Sequence, residues 1–99
     1  MTRTEIFEAA QKCVCGEREQ DYGSPENNFC CIANLWSSYL AHRIETALAA
    51  GGNWIIEPKD VAAMLALLKI ARIASGNAKE DNWIDLAGYA ACGGEIEGG

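Results

Sequence analysis

Histidine, proline and positive charge are scarce in this sequence. Its 99 residues contain one His, two Pro and eight Lys+Arg against 14 Asp+Glu, for a formal net charge of −6. The cations stand singly along the chain, so no basic face offers itself to phosphate polymers, and binding to DNA or RNA is not expected. With His42 as the only histidine, neither a histidine-based metal site nor a His base beside a nucleophilic Cys is indicated. Long apolar runs are missing as well. The longest, Val61 to Leu68, falls far short of the roughly 20 residues that span a bilayer, so no membrane segment is expected. Met1-Thr2-Arg3-Thr4-Glu5 has no apolar stretch behind a basic start, which predicts no signal peptide and a cytoplasmic location. A serine nucleophile elbow is absent, and Gly51-Gly52 follows a helical pattern where a phosphate loop would precede one.

What is present fits one small domain over residues 1–99. A chain this short buries only about 60 to 65% of its unfolded surface, so its core is thin and self-association into a homo-oligomer is expected. No space remains for a large cofactor, and none is predicted. The five cysteines are Cys13 and Cys15, the adjacent Cys30 and Cys31, and Cys92. Neighbours on a helix point about 100° apart and residues two apart about 200°, so neither pair aims both sulfurs at one point. Free thiols follow, read as small buried apolar residues with no metal bound.

Turn formers divide the chain into four helices, and no stretch alternates with the period of a strand, so the fold class is all-α. Thr2 to Glu5 forms a capping box for a first helix carrying Ile6, Phe7, Ala10 and Val14 and reaching about Gln20. After Asp21-Tyr22-Gly23, Ser24-Pro25-Glu26 supplies an N-cap, a proline at the first helical position and an acid in the first turn. Phe29, Ile32, Ala33, Trp36, Leu40, Ile44, Ala47 and Leu48 make the apolar face of a long second helix that ends before Gly51-Gly52. Asn53-Trp54-Ile55-Ile56 is an extended connector. The third helix starts at Pro58, is apolar on every side from Val61 to Leu68, and closes at Ser75-Gly76-Asn77 with a glycine suited to a left-handed cap. The fourth runs from about Glu80 to Ala91 with Trp83, Ile84, Ala87 and Ala90 facing the core, leaving 93–99 as a flexible acidic, glycine-containing tail.

A short connection makes helices three and four an antiparallel hairpin. Counted outward from Asn77, Lys69 matches Asp85 in height and Arg72 matches Asp81. Lys69 and Arg72 share a face at i, i+3; Asp81 and Asp85 share one at i, i+4. An interhelical ion-pair set on the surface is one reading. The other is a polar pocket in which the cations hold phosphate and the carboxylates hold a metal or sugar hydroxyls. Tyr22 and Trp54, beside loops, are the rings placed to stack on a base, whereas Trp36 and Trp83 fit the packing stripes.

The segments Asp21-Tyr22-Gly23-Ser24-Pro25-Glu26-Asn27-Asn28-Phe29, Ile32-Ala33-Asn34-Leu35-Trp36-Ser37-Ser38-Tyr39-Leu40, Pro58-Lys59-Asp60-Val61-Ala62, Lys69-Ile70-Ala71-Arg72 and Glu80-Asp81-Asn82-Trp83-Ile84-Asp85-Leu86-Ala87-Gly88-Tyr89 resemble a family of small helical bacteriophage proteins, mostly of unassigned function. More distantly, the last two helices are similar to those of MazG-like all-α nucleotide pyrophosphohydrolases. In those enzymes Glu-Glu-x-x-Glu on one helix and Glu-x-x-Asp on a later one hold magnesium against a triphosphate. Here helix three has apolar residues and Lys69 where the first motif would lie, leaving Asp81 and Asp85.

The resemblance implies a phage-type protein in the host cytosol that binds a small nucleotide or nucleotide-derived signal, sequestering it to counter host defence. In that reading Lys69 and Arg72 contact phosphate, Asp81 and Asp85 take ribose hydroxyls or a metal, and Tyr22 or Trp54 stacks; no residue is assigned a catalytic role. Two alternatives are a magnesium-dependent MazG-like pyrophosphohydrolase and an accessory protein that binds another protein through its helices.

Overall fold

In the computed structural model, which describes residues 1–17, 25–76 and 79–99, the described chain is helical with no strand. The elements are α1 (Arg3–Lys12), continued by a π-helical turn (Cys13–Glu17), then α2 (Pro25–Ala49), α3 (Pro58–Ser75) and α4 (Glu80–Gly98). Each start follows from its local chemistry. Thr2 and Glu5 form the expected capping box: the Glu5 amide donates to Thr2 Oγ1 at 3.2 Å, and the Thr2 amide donates to Glu5 Oε1 at 3.3 Å. Pro25 opens α2 and Pro58 opens α3, the first-turn position that proline tolerates because no amide is needed there.

Two expectations about helix limits change. The first helix passes from α geometry into the π-turn at Cys13 and continues to Glu17, and its expected end near Gln20 lies outside the described residues. Gly76 is extended, at φ −132°, and among the described residues the left-handed glycine is Gly51, at φ 83°, in the turn after α2. Finally, α4 does not stop at Ala91 but carries on through Gly93 and Gly94 to Gly98.

α3 is the middle of the assembly. It packs on α2 along one side and on α4 along the other, while α2 and α4 make at most marginal contact with each other. The α2 side is joined by large side chains: Trp36 Nε1 donates to the Met64 carbonyl at 2.7 Å, and Tyr39 and Arg43 reach the first turn of α3. The α4 side is close instead, because Gly93 sits against Ala62; a Cβ at Gly93 would stand 3.3 Å from that of Ala62. Lys69 with Asp85, and Lys59 with Glu97, show that α3 and α4 run antiparallel. Three helices side by side form a layer, and a layer has no enclosed interior. Among the described residues the buried apolar side chains are Ile32, Ala62 and Ala71.

Several apolar residues expected in a core therefore lie on the surface. α1 buries none of its residues, so Ile6, Phe7, Ala10 and Val14 are exposed. On α4, Trp83, Ile84, Ala87 and Ala90 are exposed too. The thiols of Cys13, Cys15, Cys30 and Cys92 are free and exposed and that of Cys31 is half-buried, which corrects the expectation of buried cysteines. The apolar periodicity was sound as a mark of helices, but one chain holds too few helices to cover both faces of the layer.

Candidate functional site

Two polar clusters are built into the layer, at opposite ends of α3. At its start lies Asp60, fully buried. Asp60 Oδ1 accepts from the Tyr39 hydroxyl at 2.6 Å and from Arg43 Nε at 2.9 Å, while Oδ2 accepts from the Glu57 amide at 2.8 Å. Arg43 Nη2 also donates to Glu57 Oε2 at 3.0 Å. Burial alone would raise the Asp60 pKa, but the hydroxyl, the amide and the guanidinium hold it below the usual carboxylate range. Burial and the Asp60 carboxylate together push the Tyr39 phenol up to about 12. For Arg43, burial opposes the charge, and Asp60 more than offsets it, so the guanidinium is held above its ordinary value. Every charge here has a partner, so this cluster reads as a clamp that fixes α2 onto α3. In the sequence Asp60 stands two residues after Pro58, where an acid suits the first turn of a helix; the signal for the clamp is Tyr39 and Arg43, spaced i, i+4 on the facing helix.

Beside this clamp, a shallow groove of about 390 Å³ runs between the helices, its floor made by Ala62, Ala66, Gly93 and Gly94 and its rim by Lys59 and Glu97. Lys59 and Glu97 pair across it at 3.5 Å.

The second cluster lies toward the far end of α3 and holds the residues singled out from sequence. Lys69 Nζ stands 2.8 Å from Asp85 Oδ2; the lysine side chain is only 10% exposed and the aspartate 45%. One helical turn on, Arg72 is half-buried, and Asp81 is exposed. The register of the helices brings two further side chains to this height. On the α2 side, Tyr39 meets Asp60 and Trp36 meets Met64, so the antiparallel count places Asn28 level with Arg72. On the α4 side, Lys69 meets Asp85 and Ala62 meets Gly93, which places Asn82 level with Ile73. Both asparagines are buried, and among the described residues Asn28 Oδ1 and both polar atoms of the Asn82 carboxamide have no hydrogen-bond partner. Neither asparagine is evident from sequence alone, because a polar residue in a helix's first turn ordinarily reads as a solvated cap.

The structure thus brings Lys69 and Asp85 together, with Arg72 on the next turn of the same helix. It does not bring Trp54 there. Trp54 precedes α3, whereas Arg72 lies about 20 Å along that helix, at a rise of about 1.5 Å per residue. Tyr22 lies outside the described residues. Among those residues no three His, Cys, Asp or Glu side chains converge as a metal-holding group. No helix among them is long and apolar enough to cross a membrane.

The comparison with known families is decided by residues 5–97, which match the model described as Domain of unknown function (DUF6378). The chain belongs to the DUF6378 family. The DUF6378 chain is also 39% identical over 87 residues to the Gene 55 protein of Mycobacterium phage D29, a match covering 88% of this chain and 50% of the relative. It is 38% identical over 85 residues to the Gene 55 protein of Mycobacterium phage L5, covering 86% and 47%. The chain spans about half the length of these curated relatives. No solved structure matches it. The kinship with small phage proteins of unassigned function agrees with the resemblance carried by the sequence segments.

Proposed function

We propose that this DUF6378 protein binds a small nucleotide or nucleotide-derived signalling molecule at the Arg72 level of α3, withholding it from host defence and leaving it chemically intact. The observation that carries this reading is Lys69, a nearly buried cation held by Asp85 one helical turn from Arg72. A solvated surface pair leaves its lysine in water; here the lysine side chain is only 10% exposed. Lys69 and Arg72 take the phosphate, and Asp81 and Asp85 take ribose hydroxyls or a metal. Trp54, at the other end of α3, stacks only on a ligand long enough to span that distance. Kinship with phage proteins supports the anti-defence role.

A thermal-shift series with nucleotides and cyclic dinucleotides, with and without magnesium, tests the reading. A ligand that stabilises the parent protein is expected to lose about ten- to a hundredfold in affinity for the Lys69→Ala, Arg72→Ala double variant, as one or two charge-assisted phosphate contacts disappear. Equal stabilisation of both proteins overturns it. Release of pyrophosphate from a nucleoside triphosphate with magnesium would favour the pyrophosphohydrolase alternative.

Self-association belongs to the same proposal, and a specific observation favours it. A lone chain exposes 7128 Å², about 1,600 Å² more than the roughly 5,500 Å² of a folded monomer of this mass. A standard interface hides about 800 Å² of each partner. The occupant we assign is a second copy, on the shallow apolar groove of about 300 Å³ lined by Phe29, Ile32, Ala33, Trp36 and Leu68. With a net charge of −6, two copies repel through most of their surface, and this uncharged face is where they meet without that penalty.

A further inference from the structure

Asn82 presents an unusual problem. It is 1% exposed, and among the described residues neither its carboxamide oxygen nor its nitrogen has a hydrogen-bond partner. Buried polar groups are almost always paired, and each one left unpaired destabilises a fold appreciably. The side chain is not needed to cap α4, since it is the Asn82 backbone amide that bonds to the Lys79 carbonyl, at 3.2 Å. A leucine of similar size would fill the same space with no unpaired group. On the other side of α3, at the same height, Asn28 Oδ1 is likewise buried and unpaired, so the anomaly recurs at one level of the layer. That is the level of Arg72, one turn from the buried Lys69.

We propose that the Asn82 carboxamide is a base-reading group: its donor and acceptor pair with the edge of a nucleobase whose phosphate is held by Lys69 and Arg72. This deepens the nucleotide reading and rests on it. A carboxamide offers one N–H donor and one carbonyl acceptor side by side, the complement of an edge bearing an acceptor beside a donor, such as N7 and N6 of adenine. In this arrangement the cations supply affinity for any phosphorylated sugar, and Asn82 supplies the preference for one that carries a base. Because Asn82 is covered, a base reaches it only as the atoms over the amide move aside.

The test compares ribose 5-phosphate, which lacks a base, with AMP, GMP, UMP and CMP, using calorimetric affinities and melting temperatures of the full chain. The parent protein is expected to bind AMP about ten- to a hundredfold more tightly than ribose 5-phosphate, the discrimination of one bidentate pair. Asn82→Leu is expected to melt at a higher temperature than the parent, having lost its unpaired amide. It should bind AMP and ribose 5-phosphate equally. Should the leucine fail to fit, Asn82→Ala gives the same loss of preference without added bulk. If AMP binds and either folded variant keeps the parent's preference for it, Asn82 is a structural amide and this inference falls while the nucleotide reading stands. A preference in the parent for another of the four bases, lost in the variants, retains the base-reading role and overturns the assignment to adenine. If neither ribose 5-phosphate nor any of the four nucleotides binds, this inference falls, and the nucleotide reading stands only if a cyclic dinucleotide binds in the thermal-shift series.

Discussion

The Tyr39 hydroxyl lies 2.6 Å from Asp60 Oδ1, and through that contact a residue in the middle of α2 fixes the first turn of α3. The contact ties stability to pH at both extremes. Asp60 is held below its ordinary pKa, so its contribution is present above about pH 4, the unfolded value, and is lost as pH falls through the folded one. The Tyr39 phenol is raised to about 12, so its contribution is present below about pH 10 and disappears as pH rises through the folded value. Denaturant unfolding across pH is expected to show both losses in the parent. Asp60→Asn should flatten the acid limb and Tyr39→Phe the alkaline one. Asp60→Ala, which leaves Arg43 only its pair with Glu57 and removes the acceptor of the Tyr39 hydroxyl and the Glu57 amide, should destabilise by about 3 kcal/mol near neutrality.

Two glycines of α4 separate helix propensity from packing. Gly88 has open space around its missing side chain, so Gly88→Ala should stabilise the protein by about 0.5 to 1 kcal/mol. Gly93→Ala gains the same propensity but sets its methyl 3.3 Å from the Cβ of buried Ala62, which can move only with its backbone. A lower melting temperature for Gly93→Ala than for Gly88→Ala is expected, and the reverse order would contradict the close α3–α4 seam.

Light scattering at tens of micromolar protein should give at least twice the chain mass of 10.7 kDa. Phe29→Glu should return the protein to a monomer, since Phe29 is 64% exposed in a single copy and contributes to the face assigned to the second one. A monomeric parent, or an unchanged mass for the variant, rejects that face.

The cysteines give a further check. Cys13, Cys15, Cys30 and Cys92 are exposed, so a thiol reagent should label four sites rapidly on the native protein and Cys31 more slowly. Protection of Cys30 that disappears in Phe29→Glu would show that the neighbouring face is covered in the assembly.

Local signals in the sequence carried well. Thr2 and Glu5, Pro25 and Pro58 mark helix starts through backbone chemistry that acts within one turn, and the structure places those starts accordingly. Lys69 and Asp85 were found by counting from the turn because antiparallel helices preserve distance from their connection. What could not be read was the third dimension. Trp83 and Ile84 have the spacing of a core face, yet periodicity says only that a stripe exists and not whether a partner from the same chain covers it. Gly93 and Gly94 looked like a chain end because glycine weakens helices. At Gly93 a Cβ would stand 3.3 Å from that of Ala62, closer than an ordinary contact, and there the missing side chain is an advantage. Asn28 and Asn82 were invisible for the opposite reason: their anomaly is a lack of partners, which only coordinates reveal.

Among the described residues α2 and α4 meet scarcely at all, so the main mechanical link between the two flanks runs through α3. Amide hydrogens of α2 and of α4 can then exchange through separate local openings, with those of α3 protected longest. A molecule held at Asn82 would slow exchange in α4 and α3 while α2 kept its own rate.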